Sequence, residues 1–189
     1  SGPPDRVAAR LSQRTPSSNI DTDQDGFSDA IEEAFGTSAT DSTSTPLNGA
    51  PVVTPEPLTI SKMAVKLNFT RALSDSISLS GPLPIKENFE PAGKRALIDV
   101  GGVIAGFVLD ERGASPRANN SLKIKFKGSR GLVLGQTGGY QVKLTRGDFA
   151  ALLEDEELTR DADVKDKPVE IAVTFIFEGA VYGATKAQH

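Results

Sequence analysis

The chain has 189 residues, 38% hydrophobic and 24% charged, with a net charge of −4. That length can bury a core without covalent staples, the apolar share excludes a wholly disordered chain, and the acidity argues against sequence-independent binding to nucleic acid. Cys and Trp are absent and the one histidine is His189, which excludes thiolate nucleophiles, zinc–sulfur sites, His-based triads and multi-His metal sites, and leaves few parts for an aromatic platform.

Charge is unevenly spread. Residues 1–56 carry three basic and nine acidic side chains, whereas residues 57–189 carry 18 and 16. An acidic segment thus precedes a nearly neutral body. Within that segment residues 21–32 read DTDQDGFSDAIE. With Asp21 at position 1, Asp23 falls at 3, Asp25 at 5, Gly26 at 6, Phe27 at 7, Asp29 at 9 and Glu32 at 12. This is the spacing of the EF-hand Ca²⁺ loop. Ca²⁺ takes about six to eight hard oxygens, and alternate aspartates turn their carboxylates inward as such a loop curls. Gly26 permits the sharp turn, Phe27 offers its backbone carbonyl, Asp29 acts through a water, and Glu32 closes the site with both oxygens. Six fixed positions recur by chance on the order of 10⁻⁵ times in a chain of this length. The predicted metal residues are therefore Asp21, Asp23, Asp25, Phe27, Asp29 and Glu32, and the predicted ion is Ca²⁺. Without a cation, these carboxylates would repel one another.

A short helix should follow, over residues 29–35, stopping at Gly36. Its apolar side is Ile31, Ala34 and Phe35. Residues 5–14 have helical character, but Thr15-Pro16-Ser17-Ser18-Asn19 separates them from the loop, so half an EF-hand is expected. Residues 21–41, DTDQDGFSDAIEEAFGTSATD, resemble the thrombospondin type 3 style repeat of bacterial secreted and surface proteins. In that family an Asp-rich loop leads to a short helix, then Gly-Thr, then the next Asp-rich loop. Gly36-Thr37 and Asp41 stand at the matching places, but Thr43 and Thr45 replace the next two aspartates. The resemblance covers about a ninth of the chain. It implies a calcium-stabilised stalk or linker in an extracellular protein and says nothing about the body.

Residues 36–57 read GTSATDSTSTPLNGAPVVTPEP, with four prolines and little to bury, which reads as a linker. The body beyond it reads as strands. Met63, Val65, Leu67 and Phe69 alternate with polar or small residues, Ile77 and Leu79 with serines, and Leu122, Ile124 and Phe126 with lysines. Tyr140, Val142 and Leu144 form another such run, and Val169 to Phe177 the longest. Each suits a strand with one buried and one wet face. Gly101-Gly102 predicts a hairpin between residues 96–100 and 103–109, and Glu178-Gly179 another between 169–177 and 180–185. A helix is predicted over residues 149–157, capped by Asp148. No apolar run approaches the roughly 18 residues of a membrane-spanning helix.

Weaker signals have plain structural readings. Arg146-Gly147-Asp148 reads as a strand end, a turn and a helix cap rather than an adhesion tripeptide. Residues 135–139, GQTGG, read as a hairpin turn rather than a phosphate loop. The acidic residues between Glu154 and Asp166 read as a solvated helix end. Lys123, Lys125 and Lys127 read as a soluble outer face, with an anionic polysaccharide or partner surface as the functional alternative.

Together these readings predict a mostly β protein: an antiparallel, immunoglobulin-like β-sandwich of about eight strands with one short helix, preceded by a calcium loop–helix segment. The expected domains are an N-terminal arm with the loop at 1–36, a Ser/Thr/Pro-rich linker at 37–57 and the sandwich at 58–189. The expected function is a non-catalytic, calcium-binding structural or adhesion module, extracellular or on a bacterial cell surface, as in a surface layer, matrix or fibre. Expected partners are calcium and a protein partner or second copy, engaged through a β-edge or the N-terminal arm. Polysaccharide is a further candidate; nucleic acid and a membrane span are not expected. The alternative is a carbohydrate-binding sandwich of a secreted enzyme, against which the scarcity of Trp and Tyr weighs. Enzymatic activity is not expected, because nothing places two acids across a cleft.

Overall fold

The computed structural model describes residues 20–68, 70–86, 89–116, 119–126, 136–147, 149 and 169–188. The protein is mostly β: two five-stranded sheets packed as a sandwich, with one short helix and no closed barrel among the described residues. Each of the eight strand runs read from the sequence contains a strand, though the first stops at Lys66, with Phe69 outside the described residues, and the run at 122–126 stops at Lys125. Two short ones, β1 (Glu56–Pro57) and β6 (Ala114–Pro116), join them. The helix predicted at residues 149–157 lies, beyond Phe149, outside the described residues. Two compact units divide the chain, one drawn from Ser1–Leu58, Arg95–Gly106 and Ala172–Gly183, the other from the remainder.

The second unit holds the sheet β2–β3–β8–β7–β6, with β2 at Lys62–Lys66, β3 at Asp75–Ile85, β7 at Asn120–Lys125 and β8 at Gln136–Gly147. Every pairing in it is antiparallel. Its inward positions match the predicted alternation: Ile77, Leu79, Leu122, Ile124, Tyr140, Val142 and Leu144 are buried. Met63 and Val65 are only half-buried, because β2 is an edge strand.

β3 is longer than its Ile77–Leu79 core suggested and contains Pro82 and Pro84. The register explains why these are tolerated. The Ser61 N–H donates to the Ser80 carbonyl, so even-numbered residues of β3 present their backbone groups towards β2. β2 pairs only as far as Ser80, so no partner strand needs the missing N–H groups. A second difference concerns Gly138 and Gly139. They lie within β8, paired with Leu83 and Pro82, rather than in the predicted turn. A Cβ at Gly138 would run into the Lys125 carbonyl and the Ile85 side chain, so these glycines serve close strand approach. Asp75 is buried at the far end of β3, where its carboxylate accepts the N–H groups of Asn68 at 2.6 Å and Phe149 at 2.7 Å.

The first unit holds most of the sheet β1–β10–β9–β4–β5, with β4 at Arg95–Val100, β5 at Val103–Val108, β9 at Val169–Phe177 and β10 at Ala180–Gln188. Both predicted two-residue turns are present. Gly101 and Gly102 have φ of 59° and 96°, and Glu178 and Gly179 have 51° and 71°. Positive φ at both central positions matches the right-handed twist of the flanking strands. Asp99 accepts the Gly102 N–H at 2.8 Å and closes the first turn.

This sheet departs from the expected pattern of one buried and one wet face. Residues 171–177 of β9 are all buried, as are residues 96–100 of β4. Ile98 pairs with Phe175 on one face, and Leu97 with Ile176 on the other. The second face is covered from within the same unit, by helix α1 (Asp29–Phe35) and its preceding loop. Phe27, Ile31, Leu47, Leu97, Ile176 and Val181 form one buried apolar cluster. Burying side chains of this size contributes about 1.5–3 kcal/mol each. Leu47 comes from the proline-rich stretch, where Thr45 is also buried and its hydroxyl donates to the Ala50 carbonyl at 2.7 Å. Gly106 of β5 lies so close to the Ala34 carbonyl that a Cβ would collide with it.

Candidate metal centre

The helix is held at both ends by short-range chemistry. Ser28 is its N-cap, its extended backbone (φ −77°, ψ 150°) placing the hydroxyl to accept from the Ile31 N–H. Gly36 ends it in the left-handed region at φ 93°, donating to the Glu32 carbonyl at 2.7 Å. The Arg95 guanidinium on β4 donates to the Gly36 carbonyl at 2.6 Å and ties the helix end to the sheet.

The loop before it is built from its own carboxylates. Asp21 accepts the Gly26 N–H at 3.0 Å, Asp23 the Asp25 N–H at 3.2 Å, and Asp25 the Phe27 N–H at 2.8 Å. Each aspartate thus spends one oxygen on the backbone. Gly26 turns the chain at φ +100°, and a Cβ there would come within 2.7 Å of the Val52 side chain. The Asp29 N–H donates to the Ile20 carbonyl at 2.8 Å, bringing the loop's ends together.

The remaining oxygens define the site. Asp21, Asp23 and Asp25 each offer one carboxylate oxygen, all within 4.8 Å of one another, and so form a cluster that could hold a metal ion. Among the described residues, the buried side-chain oxygens and nitrogens without a hydrogen-bond partner are Asp21 Oδ1, Asp23 Oδ2, Asp25 Oδ2 and both Glu32 oxygens. Glu32 is itself fully buried. Leaving such atoms unpaired is costly, by about 1–3 kcal/mol each and more when charged. Burial, then the charges of Asp25, Asp23, Asp21 and Asp29, push the Glu32 carboxyl up to about 7. Burial also raises Asp25, against the opposing hydrogen bond from Phe27 and with added repulsion from Asp23 and Asp21.

The other two predicted residues also shape the loop. The Phe27 ring is fully buried in the apolar cluster, so it anchors the loop to the sheet. Both Asp29 oxygens accept from Thr22, its N–H at 2.8 Å and its hydroxyl at 2.7 Å, so Asp29 braces the loop across its width. Thr22 was not singled out in the sequence; its position between two aspartates conceals a side-chain contact seven residues away. Val52, packed against the cluster, was hidden in the same way.

At Asp41 the chemistry differs. Its Oδ1 accepts both the N–H and the hydroxyl of Thr43, at 3.0 and 2.6 Å, and these bonds hold its carboxyl below the usual range. No second group of three potential ligands occurs among the described residues. Arg146, at φ 54°, is the penultimate residue of β8, Gly147 ends it, and Asp148 lies outside the described residues. No helix among the described residues is long and apolar enough to cross a membrane.

Fold and site together define a mostly β protein with an acidic cluster that could hold a metal ion, fixed against one of its sheets. No protein-family model matches the chain, and no curated protein or solved structure matches it either.

Proposed function

We propose that this chain is a calcium-binding, non-catalytic structural or adhesion module that works outside the cell, as part of a bacterial surface layer, matrix or fibre. The observation that supports it best is the set of five buried, unpartnered carboxylate oxygens on Asp21, Asp23, Asp25 and Glu32. A divalent cation is the simplest partner for all of them at once. The donors are all oxygen, which favours Ca²⁺, Mg²⁺ or Mn²⁺ over zinc or copper. Ca²⁺ fits best, because an all-protein cage in a 12-residue loop with a two-oxygen closing glutamate suits a large, flexibly coordinated ion. Mg²⁺ prefers to keep several waters. The Phe27 carbonyl and a water beside Asp29 complete the ligand set in this reading.

The role follows from where the loop sits. Phe27 and Ile31 bury their side chains against Leu97 and Ile176, so ordering the loop orders one face of β4 and β9. Binding energy at the loop becomes folding energy for that unit. Extracellular calcium modules commonly bind with Kd of about 10⁻⁴–10⁻³ M, a range that is filled outside a cell and empty within it. Calorimetric titration of Ca²⁺ into chelator-treated protein tests the reading, with Asp25→Asn and Glu32→Gln as controls. One ion bound by the wild type and at least about tenfold weaker binding by each variant is expected. A flat titration, or tighter binding of Mg²⁺ than Ca²⁺, would refute it.

A further inference from the structure

The outward face of the sheet in the second unit carries lysines that the calcium loop does not use. Strand pairing sets Lys62, Ser80, Gln141 and Lys123 in one cross-strand row, and Ala64, Ser78, Lys143 and Ser121 in the next. Lys66 and Lys125 share this face, two residues beyond Ala64 and Lys123. All five lysines are exposed. With strands about 4.8 Å apart, Lys62 and Lys123 stand about 14 Å apart across the sheet, and Lys62 and Lys66 about the same along it.

Small side chains between the lysines leave a hollow of about 670 Å³ lined by residues 61–64, 78–80, 141–143 and Lys186. A second hollow of about 210 Å³ adjoins it, sharing Gln141 and Lys143. Among the described residues, no aspartate or glutamate lines either one. A positive, hydroxyl-rich face on a chain of net charge −4 is a local reversal of sign.

We propose that this face binds an acidic polysaccharide, recognised through its uronate carboxylates. The lysines supply point charges for the carboxylates, and Ser78, Ser80, Ser121 and Gln141 supply donors and acceptors for sugar hydroxyls. The two rows contain no arginine and no aromatic residue, so bidentate phosphate contacts and base stacking are both missing. Among the described residues, none of the large exposed hydrophobics, Ile20, Val53, Leu73 and Val108, belongs to these rows, which disfavours insertion of this face into a lipid surface. The lysine stripe at 123–127 was visible in the sequence. That Lys62, Lys66 and Lys143 share a face with Lys123 and Lys125 follows only from the pairing register.

The test is calorimetric titration of a hyaluronan oligosaccharide into the calcium-loaded protein. Dextran of similar length is the neutral control, and duplex DNA and polyglutamate are rival polyanions. The wild type should bind hyaluronan and not dextran, with affinity that falls as salt rises. The double variant Lys123→Glu, Lys143→Glu should bind at least about tenfold more weakly, since two exposed attractions become repulsions. Its Ca²⁺ titration and its circular dichroism spectrum should both be unchanged, which shows that the first unit and the β-rich second unit are folded. Glu32→Gln should keep hyaluronan binding, which separates this proposal from the calcium reading. Absent hyaluronan binding, equal binding of dextran, an unaffected double variant, or tighter binding of DNA or polyglutamate would each overturn it.

Discussion

Replacing Glu32 by Gln should stabilise the metal-free protein at pH 8 and abolish its stabilisation by calcium. Glu32 is fully buried, and its carboxyl is raised from 4.5 to about 7. A group whose folded pKa exceeds its unfolded value binds more protons in the folded state, so stability falls as pH rises between the two. With respect to this group, metal-free wild type should therefore be most stable at and below about pH 4.5, lose stability up to about pH 7, and change little beyond. The shift corresponds to at most about 3 kcal/mol, and solvent screening of the partly exposed aspartates around Glu32 reduces it to about 1–2 kcal/mol. Gln cannot ionise, so the variant should lack this slope. In calcium the sign reverses, because protons compete with the ion for the same oxygens and binding strengthens as pH rises. At 100 times Kd, calcium should add about 2.7 kcal/mol to the wild type. For a chain of this size that raises Tm by about 5–10 °C. Thermal melts of both proteins at pH 5 and pH 8, in chelator and in calcium, read all four terms. Equal pH slopes in chelator, or equal calcium stabilisation of the two proteins, would refute the reasoning.

Phe27→Ala should cost about 3–5 kcal/mol, and weaken calcium binding in parallel, because it removes the loop's anchor in the apolar cluster. Urea melts and calcium titration of the same sample check both. Leu47→Ala should cost about 2–5 kcal/mol, whereas a truly free linker would show no change. Gly26→Ala should destabilise the calcium-loaded protein by about 1–3 kcal/mol, from strain at φ +100° and the clash with Val52. Gly93→Ala, at φ +75° with nothing near, should cost less, and chemical melts of the two side by side would expose the wrong order. Asp41→Ala should leave the calcium stoichiometry at one, because Asp41 is engaged with Thr43; loss of a second bound ion would count against this.

Much of the site is local and could be read from residue order. Carboxylates at alternate positions, a glycine at the sixth and a glutamate at the twelfth place the loop, and Ser28 and Gly36 bound the helix through contacts spanning a few residues. The strands of the lysine-bearing sheet were equally legible, because a face open to water imposes a period of two. The two-residue turns at Gly101-Gly102 and Glu178-Gly179 need only their own backbone angles.

Tertiary structure decided what those pieces do to one another. Residues 171–177 have an alternating apolar pattern, yet both faces are buried, because a helix from the start of the chain covers the second face. Small residues such as Ala172 and Thr174 can be buried there without looking hydrophobic. Leu47 and Val52 looked like linker residues, since a sequence dominated by Ser, Thr and Pro does not reveal which of its few apolar side chains finds a pocket. The same limit hid the burial of Glu32. Its place twelve residues into the run is a matter of order along the chain, but the burial of its carboxyl beside unpaired oxygens of Asp21, Asp23 and Asp25 exists only once the loop is folded.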